Sequence, residues 1–82
     1  MTNTERIKKL FNPSLSVDIT PSDNQTTYFE WESTNGFVSL EVGTSQYALS
    51  YIPNNKDEDT FGVMGFLEDY EELEKLIKEY QE

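Results

Sequence analysis

Carboxylates are the residues present in sufficient number to do chemistry. Sixteen Asp and Glu oppose six Lys and Arg, a net charge of −10, and the chain has neither histidine nor cysteine. Without histidine, the commonest general base and the commonest metal ligand are missing. Without cysteine, thiol nucleophiles, thiolate metal sites and disulfides are excluded. Serine, threonine and tyrosine remain as nucleophiles, with no imidazole to activate them. A pair of carboxylates could hydrolyse a glycoside, and the strand pattern described below sets Glu30 opposite Glu41. Two such groups on neighbouring strands start from backbones about 5 Å apart, which a retaining mechanism accommodates. An 82-residue chain with an open sheet offers no deep sugar cleft, and no desolvation to raise the pKa of an acid. The expectation is a protein without catalytic activity and without a cofactor.

Two loops invite ligand readings that fail on spacing. Asn55, Asp57 and Asp59 alternate as in the start of a calcium-binding EF-hand loop. Thr60 then stands where that loop needs glycine, and Phe66 where it needs a bidentate glutamate. Gly62 and Gly65 resemble part of a phosphate loop, but acids follow them instead of the Lys-Ser/Thr that a Walker motif requires.

The distribution of the acids is more informative. From Asp57 to Glu74 there are eight, namely Asp57, Glu58, Asp59, Glu68, Asp69, Glu71, Glu72 and Glu74, with no intervening Lys or Arg. Glu30, Glu32 and Glu41 add a second group on one face of a sheet. Such a chain is repelled by nucleic-acid phosphates and by anionic membranes, and is attracted to basic proteins. Duplex DNA carries a charge every ~3.4 Å of each strand. Carboxylates on successive helix turns or alternating along a strand come at spacings of the same order, so this chain could compete for a basic nucleic-acid groove. The positive charge is concentrated at the start, in Arg6, Lys8 and Lys9, on the solvated side of a first helix.

The elements that must position these groups follow from periodicity. Residues 26–52 contain three alternating runs separated by two turn signals, an antiparallel meander. Asn35-Gly36 at the first hairpin tip would pair Trp31 with Leu40, Phe29 with Val42 and Glu30 with Glu41. A second turn at Thr44-Ser45 pairs Val42 with Tyr47, Leu40 with Leu49 and Val38 with Tyr51; a turn at Gly43-Thr44 keeps the same faces. The core face is then Phe29, Trp31, Val38, Leu40, Val42, Tyr47, Leu49 and Tyr51, and a one-residue slip would invert it. The opposite face carries Tyr28, Glu30, Glu32, Phe37, Ser39, Glu41, Ala48, Ser50 and Ile52.

Upstream, Leu15, Val17 and Ile19 alternate as a preceding strand over 15–20, with Asp18 outward. Residues 2–11 form a short helix, with a Thr2–Glu5 capping box and an Ile7, Leu10, Phe11 stripe, ended by Pro13. Downstream, residues 61–66 fit a short edge strand or a connecting segment that lays Phe61, Val63, Met64 and Phe66 over the core. Residues 68–82 are the clearest helix. Tyr70, Leu73, Leu76, Ile77 and Tyr80 form its apolar stripe, Asp69 and Glu72 a capping box, and Glu71–Lys75 and Glu74–Lys78 its i, i+4 pairs.

The fold class that follows is α+β. One acidic domain, 1–82, holds a four- or five-stranded antiparallel meander, with a short N-terminal and a longer C-terminal helix on one face. Eleven aromatic residues argue for a folded chain despite the charge. No apolar run approaches the ~20 residues of a membrane span, so the expected compartment is the cytoplasm.

This layout resembles that of small acidic phage-encoded inhibitors, including anti-CRISPR proteins and other DNA mimics. The resemblance spans the whole chain and includes no shared motif. It implies a module that blocks a basic nuclease or CRISPR effector through an acidic surface, and immunity proteins and antitoxins that neutralise basic toxins share the layout. The residues expected to carry binding are Asp57, Glu58, Asp59, Glu68, Asp69, Glu71 and Glu72, then Glu30, Glu32 and Glu41. The competing expectation is a structural or accessory subunit, a homodimer formed through the exposed sheet face or an edge strand.

Overall fold

Alternation of apolar and polar residues produces one five-stranded antiparallel sheet, and a 3.6-residue period produces the helix that covers it. The computed structural model describes residues 3–22 and 25–81. The elements are α1 (Asn3–Lys8), β1 (Asp18–Pro21), β2 (Thr27–Ser33), β3 (Gly36–Val42), β4 (Gln46–Pro53), β5 (Phe61–Phe66) and α2 (Tyr70–Tyr80), and the strands lie in the order β1-β2-β3-β4-β5. The expected α+β meander is therefore the observed fold, in its five-stranded form. The proposed capping partner Thr2 lies outside the described residues.

One face of the sheet makes the core. Phe29, Trp31, Val38, Leu40, Val42, Tyr47 and Leu49 are buried there with Ile7 of α1 and Leu73 and Ile77 of α2. Each such side chain contributes about 1.5–3 kcal/mol on burial. Leu15 and Val17 precede β1 rather than belonging to it, yet still pack on the core. Trp31 ties the layers together. Its indole N–H donates to the Tyr80 carbonyl at 2.8 Å, and the Phe11 ring meets it edge-on at 4.7 Å. Gln81 fastens the segment after α1, accepting from the Asn12 N–H at 2.8 Å and donating to the Leu10 carbonyl at 2.7 Å. At the other end of α2 the Tyr70 hydroxyl donates to the Arg6 carbonyl, and the Arg6 guanidinium lies 4.3 Å from the Tyr70 ring centre.

The first hairpin differs from expectation by two residues. Trp31 pairs with Val38, Phe29 with Leu40 and Ser33 with Gly36, so Thr34-Asn35 forms the tip. No glycine has a positive φ, so Gly36 is not used as a turn residue. It is used for space. A Cβ at Gly36 would lie 2.5 Å from the Ile52 carbonyl oxygen and 2.7 Å from the Tyr51 ring. Seating Tyr51 therefore places Gly36 inside β3. The shift preserves parity and hence both faces. The β3–β4 register is the expected one, with Thr44-Ser45 at the turn.

Helix α2 forms as expected, but Asp69 makes no side-chain capping bond, with φ −88° and ψ 54°. Its carbonyl instead accepts from Glu72 and Leu73. Of the two expected pairs along the helix, Glu74–Lys78 closes at 3.4 Å. Strand β5 makes a second tyrosine–glycine contact. A Cβ at Gly65 would lie 2.6 Å from the Tyr47 hydroxyl, whereas one at Gly62 would meet nothing nearer than 3.9 Å.

These contacts sort the glycines. Gly36→Ala and Gly65→Ala should each destabilise the fold by about 1–3 kcal/mol through overpacking. Gly62→Ala should change stability by no more than about 0.5 kcal/mol at its open position. Urea unfolding of the three variants checks the order, and equal losses at all three would contradict it.

Candidate functional site

Both helices cover one face of the sheet and leave the other uncovered. The register sets out the uncovered face in rows across the strands. Thr20, Tyr28, Glu41, Ala48 and Met64 form one row, and Asp18, Glu30, Ser39, Ser50 and Gly62 the next. Glu32, Phe37 and Ile52 form a third. The carboxylates Asp18, Glu30, Glu32 and Glu41 collect on β1–β3, and no Lys or Arg stands on this face of the strands. Five of the six cations, Arg6, Lys8, Lys9, Lys75 and Lys78, belong to the helices or the turn after α1.

The two-residue shift changes which acids meet. Glu30 does not face Glu41; its partner is Ser39, and Tyr28 stands opposite Glu41. The expected Glu30–Glu41 pair is thus corrected. On the other side Glu30 stands opposite Asp18, a contact the sequence reading missed because it set no register for β1. Tyr28 carries the imprint of its neighbours. A hydrogen bond to Glu41, the Glu41 charge, loss of solvent and lastly the Glu30 charge hold its phenol above the usual range.

The acids expected between Asp57 and Glu74 divide into two groups. Asp57, Glu58 and Asp59 lie in the loop before β5, while Glu68, Asp69, Glu71 and Glu72 lie after it and in the first turn of α2. All seven are exposed. The six residues of β5, about 17 Å from Phe61 to Phe66 at ~3.4 Å per step, lie between the groups. Sequence adjacency made them one patch; an extended strand makes them two. In the first loop the Asn55 side-chain oxygen accepts from the Asp57 N–H at 3.0 Å, closing a turn. Among the described residues no group of three or more acids converges as a metal site.

Residues 61–66 form the short edge strand rather than the connecting segment that would lay Met64 and Phe66 over the core, and these two face outward, 75 % and 50 % exposed. Strict alternation in β5 would have found them, since Val63 faces Leu49 and Gly65 faces Tyr47 on the core side. With Phe37 and Ile52 they give the uncovered face an apolar side, opposite its acidic side. Depressions in the surface are shallow. One, about 580 Å³, lies between Leu10, Ser14, Leu15, Lys78 and Gln81, with no acid in its lining. Another, about 300 Å³, opens between Leu15, Asp18, Glu30, Glu32 and Phe37. Among the described residues no helix is long and apolar enough to cross a membrane. Comparison with protein-family models, curated proteins and solved structures finds no match to this chain.

Tyr47 and Tyr80 join Tyr28 in having raised pKa values. Burial is the main cause for both, with Glu72 and Asp69 adding to Tyr47, and Glu79 and Tyr51 to Tyr80. A folded pKa above the unfolded value of about 10 means that the unfolded chain loses these protons first. Stability should therefore be constant below about pH 10 with respect to these groups and should fall as pH rises through their folded values. Tyr47→Phe should make the alkaline fall less steep. Urea midpoints measured across that range test this, and an unchanged slope would contradict it.

Proposed function

We propose that this protein is a non-enzymatic binding module. It engages a basic, nucleic-acid-handling protein through acidic surface and blocks access of the nucleic acid. The observation that carries the reading is the segregation of charge. Four carboxylates occupy the uncovered sheet face with no cation among them, while five of the six cations belong to the helices or the turn after α1, where acids are interspersed with them. A basic partner therefore meets a uniformly negative field on one side. Such a field accelerates encounter and makes binding sensitive to salt. Glu30 and Glu32, two residues apart on β2, recur at about 6.8 Å, roughly twice the axial charge spacing of a DNA strand. A nuclease, a CRISPR effector or a basic toxin has the surface chemistry this requires.

A second reading, a subunit that self-associates through the sheet face, is favoured by exposed Ile52, Met64 and Phe66. It must overcome the repulsion of two chains of charge −10.

Purified basic nucleases should lose activity on duplex DNA in the presence of this protein, and should regain it as salt is raised. Replacing Asp57, Asp59, Glu71 and Glu72 together by Lys should weaken inhibition by about tenfold or more. Reversal of Glu30, Glu32 and Glu41 should also weaken it. Lysines in the first turn of α2 oppose the helix dipole, so the corresponding Asn and Gln variants serve as controls for folding. Absence of inhibition across such a panel, or inhibition that survives reversal of both groups, would contradict the reading. A dimer in sedimentation that survives reversal would favour the second one.

A further inference from the structure

The two edges of the sheet are built differently. At the β1 edge the Ser22 N–H donates to the Thr26 carbonyl at 2.8 Å, in a register continuous with Pro21 opposite Thr27. Bonded pairs alternate along an antiparallel ladder. Asp18 and Thr20 therefore spend their backbone groups on β2, and Ile19 and Pro21 turn theirs away from the sheet. Proline has no N–H, so this short edge offers little to another strand.

At the β5 edge the Leu67 N–H donates to the Ser45 carbonyl at 2.8 Å, continuing the register of Phe66 opposite Gln46. By the same alternation Phe61, Val63 and Gly65 bond to β4, and Gly62, Met64 and Phe66 turn their backbone groups outward. The Phe66 carbonyl accepts from the Asp69 N–H. The remaining outward groups of these residues have no partner in the sheet. Gly62, Met64 and Phe66 are exposed, and the strand FGVMGF contains no charge and no proline. An edge of this kind is a template for strand addition.

Charge selects the occupant. Asp57, Glu58 and Asp59 stand at one end of β5 and Glu68, Asp69, Glu71 and Glu72 at the other. A second copy pairing antiparallel about Met64 would set the acids before β5 in one chain against those after it in the other. We infer that β5 is a strand-addition site for an extended segment of a partner protein, apolar in alternation and carrying Lys or Arg at both ends. The cations would stand about 17 Å apart or slightly more, matching the two acid groups. This rests on the reading of those acids as partner-facing, and adds the backbone edge between them as the docking element.

The test uses a synthetic peptide of alternating valine and threonine, with a pair of lysines at each end, titrated into the isotope-labelled full-length protein. The amides of Gly62, Met64 and Phe66 should shift and gain protection from exchange, and that of Ile19 should not. Gly62→Pro and Met64→Pro remove only outward donors, which an edge strand tolerates. Each should weaken binding by about tenfold. A peptide ending in glutamates should not bind. Absence of binding, shifts confined to residues around Glu30 and Glu41, or a dimer built on β5 would overturn the inference. If the proline variants still inhibit a basic nuclease while the charge reversals do not, the acidic reading stands and the edge site falls. If peptides of either end charge pair equally with β5, the selection by charge falls.

Discussion

The indole of Trp31 constrains the rest of the structure. It is buried at the centre of β2, in a core whose other polar-tipped side chain, among the described residues, is Tyr47. An unpaired N–H there would cost about 1–3 kcal/mol. The acceptor it finds is the Tyr80 carbonyl at the end of α2, one of the carbonyls that helix geometry leaves without an internal partner. Each group satisfies the other, and the bond fixes how far α2 slides along the sheet. Gln81 then falls where it can hold Leu10 and Asn12, which brings Phe11 against the same indole. The placement of the whole helical layer follows from satisfying one donor.

Placing that layer on one face determines where charge can go. The helices need their apolar stripes on the sheet, so their cations project from the covered side. The opposite face has no such layer, and its alternating positions carry acids on β1–β3 and exposed apolar residues on β3–β5. A net charge of −10 on a small domain works against compactness through self-repulsion. Spreading the acids over the sheet face and the two ends of β5 reduces that cost.

Much of this was legible in the sequence because side-chain parity is robust. An error of two residues in the first hairpin left every residue on its correct face, since a strand repeats every two residues. The exact register was not legible. Asn35-Gly36 is a strong turn signal, but the need for space beside Tyr51 drew Gly36 into β3. Local turn chemistry competed with a contact to β4, and no pattern within the hairpin announces that contact. The stripe of α2 was legible, whereas its capping box was not, because the Asp69 backbone rather than its side chain receives the first-turn donors. The acid groups show the same limit. Asp57 and Glu68 are near in sequence, but an intervening strand is the most extended path a chain can take.

The sheet edges bring these threads together. A meander always leaves two edges, and each must be kept from indiscriminate pairing. At β1 the protection is intrinsic: the strand is short, and Pro21 removes a donor. Strand β5 has no such protection within itself, since it carries neither proline nor charge. The nearest charges are the acids at its two ends. In the proposed mode these acids have two effects with one physical origin. They oppose a second copy of this chain, which would bring like charge to both ends, and they attract a strand that brings cations to both. An edge protected in this way is not closed; it is conditional on the charge of what approaches.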